Sequence, residues 1–242
     1  MEPVNRARVV TVNVDSPLLS KEPEPALSAA LHVERELREA IISLDLQPGS
    51  RLSEQEIADR LNVSRQPVRE ALIALGRAHL VEARAKRGTI VVKISARKMT
   101  EARFVREAIE TAVVRRACES FDPWMRSTID ESLVLQRAAC ASGDYTAFRK
   151  QDEQFHLAIA NGAGCGLAWS VIADLKAHID RVCNLQLRKA DSMPGLIAQH
   201  ERIVAAIDQR DPEAAAAAMS LHLNGILIDL PKIAASHPDL FE

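Results

Sequence analysis

Aromatic side chains are scarce in this sequence. Only 3% of the 242 residues are Phe, Trp or Tyr, whereas 47% of the residues are apolar. The core must therefore be built mainly from aliphatic side chains. Because alanine, leucine and arginine are abundant and form helices readily, this composition favours a mainly α-helical protein.

Cysteine motifs and long apolar runs are absent as well. The four cysteines are Cys118, Cys140, Cys165 and Cys183, with no CxxC pair among them. This spacing argues against a disulfide framework, and we interpret them as small apolar residues. No run approaches the roughly 18 apolar residues of a membrane-spanning helix, and no secretion signal is recognisable. The sequence therefore predicts a cytoplasmic protein with no membrane partner.

Charge is nearly balanced, with 31 basic and 33 acidic residues and a formal net charge of -2. This balance is typical of a globular chain rather than a disordered one. It is not uniform, because residues 27–95 carry a net charge of +2 and residues 96–242 a net charge of -3.

The pattern along the chain divides it into three parts. Residues 1–26 contain a proline-rich stretch of alternating charge, which predicts a flexible N-terminal tail. Residues 27–95 predict, in order, a helix from Leu27, a short helix opened by a capping box at Ser53, a turn at Asn62, a helix over 65–77, and two strands joined by a basic tip. This order is that of a winged helix-turn-helix DNA-binding domain.

The second helix of this domain carries the residues that we expect to read DNA. Arg65 and Arg69 lie four residues apart and project from one side, beside Ser64 and Gln66, and arginine donates two hydrogen bonds to guanine in the major groove. The tip of the strand pair, Lys86-Arg87-Gly88, is suited to phosphates. The arginines alone are equally consistent with a solvated helix face, and the whole combination indicates DNA binding.

The weak charge of this domain bears on its assembly. A single domain with a net charge of +2 is expected to bind DNA weakly. We therefore expect a homodimer that places two such domains on double-stranded operator DNA with two-fold symmetry.

From residue 96 onward the strand signals vanish. Amphipathic segments are separated by proline, glycine and aspartate, and they predict an all-helical antiparallel bundle over 96–242. The predicted helices cover residues 99–120, 124–142, 145–160, 167–189, 194–209 and 212–230.

Histidines in this bundle are candidate metal ligands. Asp152 and His156 lie four apart on one predicted helix and share a face, as a chelating pair does. His200 and His222 lie on two later helices. Spacing alone equally allows ordinary buried or surface histidines, so the pattern leaves both interpretations open.

The run PGSRLSEQEIADRLNVSRQPVREALIALGRAHLVEARAKRGTIVV, from Pro48 to Val92, resembles the DNA-binding domain of GntR-type bacterial transcription factors, specifically the FadR subfamily. The resemblance implies a dimeric operator-binding repressor or activator that is released by a small molecule, and of the two we expect a repressor. It also implies that Arg65 and Arg69 contact guanines and that the wing tip enters the minor groove. His79 stands where the family usually has glycine, and it must adopt a left-handed backbone there.

The helical half is similar to the FCD effector domain of the same subfamily. There an Asp-x3-His pair and two later histidines hold a divalent metal, and the matching residues are Asp152, His156, His200 and His222. One carboxylate and three imidazoles suit zinc, nickel or manganese.

The same resemblance suggests where the effector binds. It places Arg106 beside the metal cavity, where a guanidinium can hold a small carboxylate effector, although a surface salt bridge with Glu110 is equally expected there. Arg181 and His178, on a later helix, are further candidates for the cavity wall. Two alternatives to an acid-responsive regulator are a direct metal sensor and, less favoured because no separate acid or base motif is found, a metallohydrolase.

Overall fold

A computed structural model describes residues 25–85, 88–187 and 192–242. The expected N-terminal tail, apart from its last two residues, lies outside the described residues, and so do Lys86 and Arg87 of the expected wing tip. The helices are α1 Pro25–Ile42, α2 Glu54–Leu61, α3 Arg65–Arg77, α4 Ala96–Glu119, α5 Pro123–Ser142, α6 Tyr145–Gly162, α7 Gly166–Leu187, α8 Ser192–Asp208 and α9 Pro212–Ser236. The strands are β1 Arg51–Leu52, β2 Val81–Arg84 and β3 Gly88–Val91.

The mainly helical fold with an N-terminal winged helix-turn-helix and a C-terminal helical bundle is confirmed. In the first part, Ser53 caps α2 by accepting a hydrogen bond from the backbone N–H of Glu56. Asn62 ends α2 in the left-handed conformation, at φ 52°. Ser64 precedes α3 as predicted, but its side chain makes no capping hydrogen bond. His79 has φ 55°, so histidine does adopt the left-handed backbone that the turn after α3 requires.

The wing is a three-stranded antiparallel sheet in the order β1-β3-β2. The sequence predicts only two of these strands. The third, β1, is two residues long and pairs Arg51 with Ile90 and Leu52 with Thr89. A strand of two residues shows no alternation of apolar and polar side chains in the sequence. It forms because β3 lies beside it and pairs with it.

The bundle helices begin where short polar residues cap them. Asp122, Asp144 and Asp211 each accept a hydrogen bond from a backbone N–H in the first turn of α5, α6 and α9. The largest buried cluster of the bundle is mainly aliphatic and includes the aromatic residues Phe155 and Trp169. Helix α9 has the length and composition of a membrane span, but 40% of the apolar window is buried and the helix packs against α4 and α8.

Candidate metal centre and nucleic-acid interface

Four ligand-type side chains from three helices meet inside the bundle. Asp152 and His156 come from α6, His200 from α8 and His222 from α9, and one ligand atom of each lies within 4.8 Å of all the others. His156 Nε2 is 3.2 Å from His222 Nε2, and His200 Nε2 is 3.4 Å from Asp152 Oδ1. The three imidazoles are buried. The structure thus brings together all four residues that the sequence pattern singles out.

Each imidazole donates a hydrogen bond to a side-chain oxygen that the sequence did not identify as its partner. The Nδ1–H of His156 donates to Glu110 Oε2 at 2.5 Å. Oxygens of Gln136 and Gln199 accept from the Nδ1–H of His200 and His222, at 2.8 and 3.0 Å. These bonds place the proton of each ring on Nδ1, so each Nε2 carries a lone pair.

This arrangement fits a bound cation. The Nε2 lone pairs of His156 and His222 face each other at 3.2 Å, where two acceptors repel. His200 Nε2 is buried without a hydrogen bond among the described residues, although a carboxylate oxygen lies 3.4 Å away. A positive ion among these atoms satisfies all of them. The donor set of three imidazoles and one carboxylate is typical of a divalent transition metal.

The electrostatics of the cluster favour ligands in their binding forms. Burial lowers the pKa of His200 and of His222, which keeps both imidazoles neutral. Burial alone would raise the pKa of Glu110, but the charge of Arg106 and the contacts with Arg106 and His156 outweigh burial and lower that pKa to about 2. Burial opposes ionisation of Asp152 too, yet its imidazole and lysine neighbours hold its pKa well below the usual range.

A cavity of about 330 Å³ opens beside the cluster. Arg106, Asp152 and His222 line it, together with residues of α6, α7, α8 and α9. Arg106 is 6% exposed, and its Nε donates to Glu110. Its Nη2 is buried and has no hydrogen-bond partner among the described residues. Arg106 therefore does pair with Glu110, but inside the protein rather than on its surface, and it retains a donor for a ligand.

Arg181 is not among the residues lining this cavity. Its side chain is fully buried, and its Nη1 donates to the backbone oxygen of Val92, next to the wing. His178 likewise donates to the backbone oxygen of Ala78, at the end of α3. The expectation that Arg181 and His178 line the cavity is wrong for this reason: on α7 they project toward the DNA-binding domain, while Ile179, Asp180 and Cys183 face the cavity.

Helix α3, the reading helix, exposes the residues expected to contact DNA. Ser64, Arg65, Gln66 and Arg69 are all exposed, and so is Gly88, the described residue of the expected wing tip. Glu54 of α2 accepts hydrogen bonds from both arginines, with one oxygen 3.0 Å from each Nη2. These bonds lower the pKa of Glu54, Arg69 contributing most. The two guanidinium groups are thus held side by side at the start of α3.

Comparisons with known proteins identify the family. Residues 101–225 match the FCD domain, which covers more than half of the chain, and residues 29–91 match the bacterial regulatory proteins of the gntR family. The chain belongs to the GntR family. Its GntR and FCD matches coincide with the winged helix-turn-helix and with the bundle that holds the four candidate ligands.

Relatives of this GntR chain are transcription regulators, not enzymes. It is 37% identical to the HTH-type transcriptional repressor RspR of Escherichia coli K12, over 86% of this chain and 91% of that one. It is 28% identical to the gluconate operon transcriptional repressor of Bacillus subtilis, over 81% and 82%.

Two solved structures have a similar fold. A GntR regulator from Rhodococcus sp. RHA1 is 28% identical, with a TM-score of 0.71 over 85% of this chain and 98% of that one. Escherichia coli McbR/YncC, at 21% identity, has a TM-score of 0.75 over 86% and 98% and shows the fold alone. The two family models and the sequence relatives, rather than these structures, support DNA binding and repression of transcription by this GntR chain. They do not support the metallohydrolase alternative.

Proposed function

We propose that this GntR chain is a cytoplasmic repressor of the FadR subfamily that binds a two-fold operator as a homodimer and is released by a small organic acid. The observation that carries the proposal is the convergence of the four ligand-type side chains beside a cavity lined by Arg106. A buried guanidinium in the cavity wall can bind the carboxylate of a small acid through charge-assisted hydrogen bonds.

Asp152, His156, His200 and His222 would hold zinc, nickel or manganese. When bound, a divalent metal supplies a positive centre that attracts an anionic ligand. Arg106 then orients the ligand, since its Nη2, which has no hydrogen-bond partner in the described part of the chain, is available to a carboxylate while its Nε stays on Glu110. Glu110 therefore positions two groups at once, the guanidinium of Arg106 and the imidazole of His156.

Helix α7 provides the link to DNA. Asp180 and Cys183 face the cavity, whereas Arg181 and Asn184 bond to the backbone of the DNA-binding domain. A ligand that shifts α7 therefore changes the placement of the winged domain. In a dimer this alters the spacing between the two reading helices, and so the affinity for an operator of fixed spacing.

The proposed dimer has support from exposed apolar side chains on two helices that pack together. Phe104 on α4 is 68% exposed and Leu221 on α9 is 58% exposed, and these two helices pack against each other. Large apolar side chains exposed on neighbouring helices are typical of a protein–protein contact. We propose that a second copy of the chain covers them.

The test uses the full chain and an operator selected from random duplexes. We expect about one metal ion per chain by mass spectrometry, and a marked loss of metal in His200→Ala without loss of operator binding. Small carboxylic acids added to the metal-loaded complex should release DNA. An unchanged metal content in His200→Ala contradicts the metal site. If a chelator releases the operator DNA and the acids do not, the result favours a direct metal sensor. Arg137→Ala, outside the cavity, is the control.

A further inference from the structure

A second arginine lines the same cavity. Arg149, on α6 one turn before Asp152, is 9% exposed and borders the cavity with Arg106. Its Nη2 donates to Glu39 of α1, the first helix of the DNA-binding domain. Arg149 therefore touches both the effector cavity and the domain that reads DNA.

The ion pair between these residues is unequal. The Arg149 side chain is 10% exposed, whereas that of Glu39 is 48% exposed. A buried guanidinium must keep an anionic partner, because an unpaired charge inside a protein is costly. A half-exposed carboxylate is readily rehydrated when it is released. An anion arriving from the cavity can therefore replace Glu39 on Arg149 at little cost.

Three other charged side chains that line the cavity have close partners within the helical bundle. Asp180 accepts a hydrogen bond from Lys176 Nζ at 2.6 Å. Asp152 lies against His200, and Arg106 is bonded to Glu110. Arg149 differs from these, because its carboxylate partner comes from another domain and stands partly in water.

We propose that Arg149 is a second acid-binding residue, and that the effector is a small dicarboxylic acid. One carboxylate binds at Arg106 and the metal cluster, and the other binds Arg149 and displaces Glu39. This inference rests on the proposed function. The cavity volume of about 330 Å³ suits a ligand of that size, since it lies at the lower end of the range of about 300–1,000 Å³ for ligand pockets.

The exchange also explains how the signal leaves the cavity. Helix α1 packs on α3, the reading helix, and residues of both helices share one buried cluster. Loss of the bond between Glu39 and Arg149 loosens α1 from α6 while the contacts of α7 persist. The DNA-binding domain then turns about its junction with α7 instead of detaching.

The experiment measures binding of matched acids to the metal-loaded full chain by calorimetry. The probes are butanoate against succinate, and gluconate against glucarate. We expect the wild type to bind the dicarboxylate of at least one pair more tightly, by about tenfold or more, and Arg149→Gln to lose that preference. Arg137→Gln removes an exposed arginine paired with Glu201, outside the cavity, and should retain the preference.

Glu39→Gln tests the exchange with Arg149 left intact, and it decides the matter if Arg149→Gln fails to fold. We expect it to bind the preferred dicarboxylate several-fold more tightly, because the competing carboxylate is gone, and to leave monocarboxylate binding unchanged. Equal affinities for Glu39→Gln and the wild type overturn the exchange. Acids that bind without any dependence on Arg149 overturn only this inference, whereas a wild type that binds none of the acids overturns the proposed function as well.

Discussion

Arg181 on α7 donates a hydrogen bond from Nη1 to the backbone oxygen of Val92, at a distance of 2.8 Å, immediately after wing strand β3. Its Nη2 donates to His178 Nδ1, and His178 Nε2 donates to the backbone oxygen of Ala78, at the end of the reading helix. Arg181 is fully buried, and burial lowers its pKa to about 10. One bundle helix thus holds both the wing and the reading helix through a short chain of hydrogen bonds.

Arg181→Lys should weaken this junction. Lysine keeps the charge, but a single ammonium group lacks the fork that reaches Val92 and His178 together. We expect the free energy of unfolding to fall by about 1–3 kcal/mol, measured by urea denaturation. Arg137→Lys, at an exposed ion pair, should change it by less than about 0.5 kcal/mol. An equal effect of the two substitutions contradicts the role assigned to Arg181.

His178 should make stability depend on pH. Burial and the charge of Arg181 lower its pKa from 6.5 to about 4 in the folded chain. Between these values the unfolded chain binds a proton that the folded chain does not, so stability falls as the pH falls from about 6.5 to about 4. Because a tenfold change in proton affinity corresponds to about 1.4 kcal/mol, the loss amounts to roughly 3 kcal/mol at most.

His178→Gln isolates this contribution. Glutamine keeps an N–H donor for the backbone oxygen of Ala78 but does not titrate. The wild type and the variant share every other titratable group, so the difference between their urea midpoints reports His178 alone. We expect the midpoint of the wild type to fall more steeply than that of the variant over this range. Parallel curves would show that His178 is not held neutral by its surroundings.

Local spacing pointed to one pair of candidate ligands, and the resemblance to the FCD domain added His200 and His222 and favoured a metal site. The pair Asp152 and His156 is visible as an i, i+4 pattern on one helix. Glu110, Gln136 and Gln199 were not predictable, because each meets its histidine from a different helix, 23 to 64 residues away along the chain. A buried glutamine on an amphipathic helix looks in sequence like any surface glutamine.

The direction in which the side chains of α7 point could not be predicted from the sequence either. The sequence predicts the helix, but α7 is covered on two sides, by the cavity wall and by the DNA-binding domain. Residues on different faces of α7 therefore lie in two different buried environments. The sequence has no apolar stripe that shows which face meets the cavity and which meets the DNA-binding domain. That is why Arg181 was assigned to the cavity, although it binds the wing instead.

Gly162 at the end of α6 should tolerate no side chain. A Cβ atom at this position would overlap the ring of Phe121, which packs against the bundle core, and the Gly162 carbonyl accepts the N–H of Asp122. We expect Gly162→Ala to lower the free energy of unfolding by about 1–3 kcal/mol. Gly195 is exposed on α8, and no atom of the described residues lies within 4 Å of its Cβ position, so it is the matched control. Gly195→Ala should be neutral or stabilise by up to about 1 kcal/mol.

Arg65→Ala should reduce the discrimination between operator and unrelated DNA. Arg65 is exposed at the first turn of α3, and Glu54 holds it beside Arg69, so the pair is oriented before DNA arrives. An arginine contact to guanine contributes about 1–3 kcal/mol of base discrimination. We therefore expect the ratio of operator to non-operator affinity, measured by competition gel shift at fixed salt, to fall about tenfold, while Arg115→Ala, in the bundle, leaves it unchanged. If Arg65→Ala weakens binding to both duplexes equally, Arg65 contacts only the phosphate backbone and the reading role belongs elsewhere on α3.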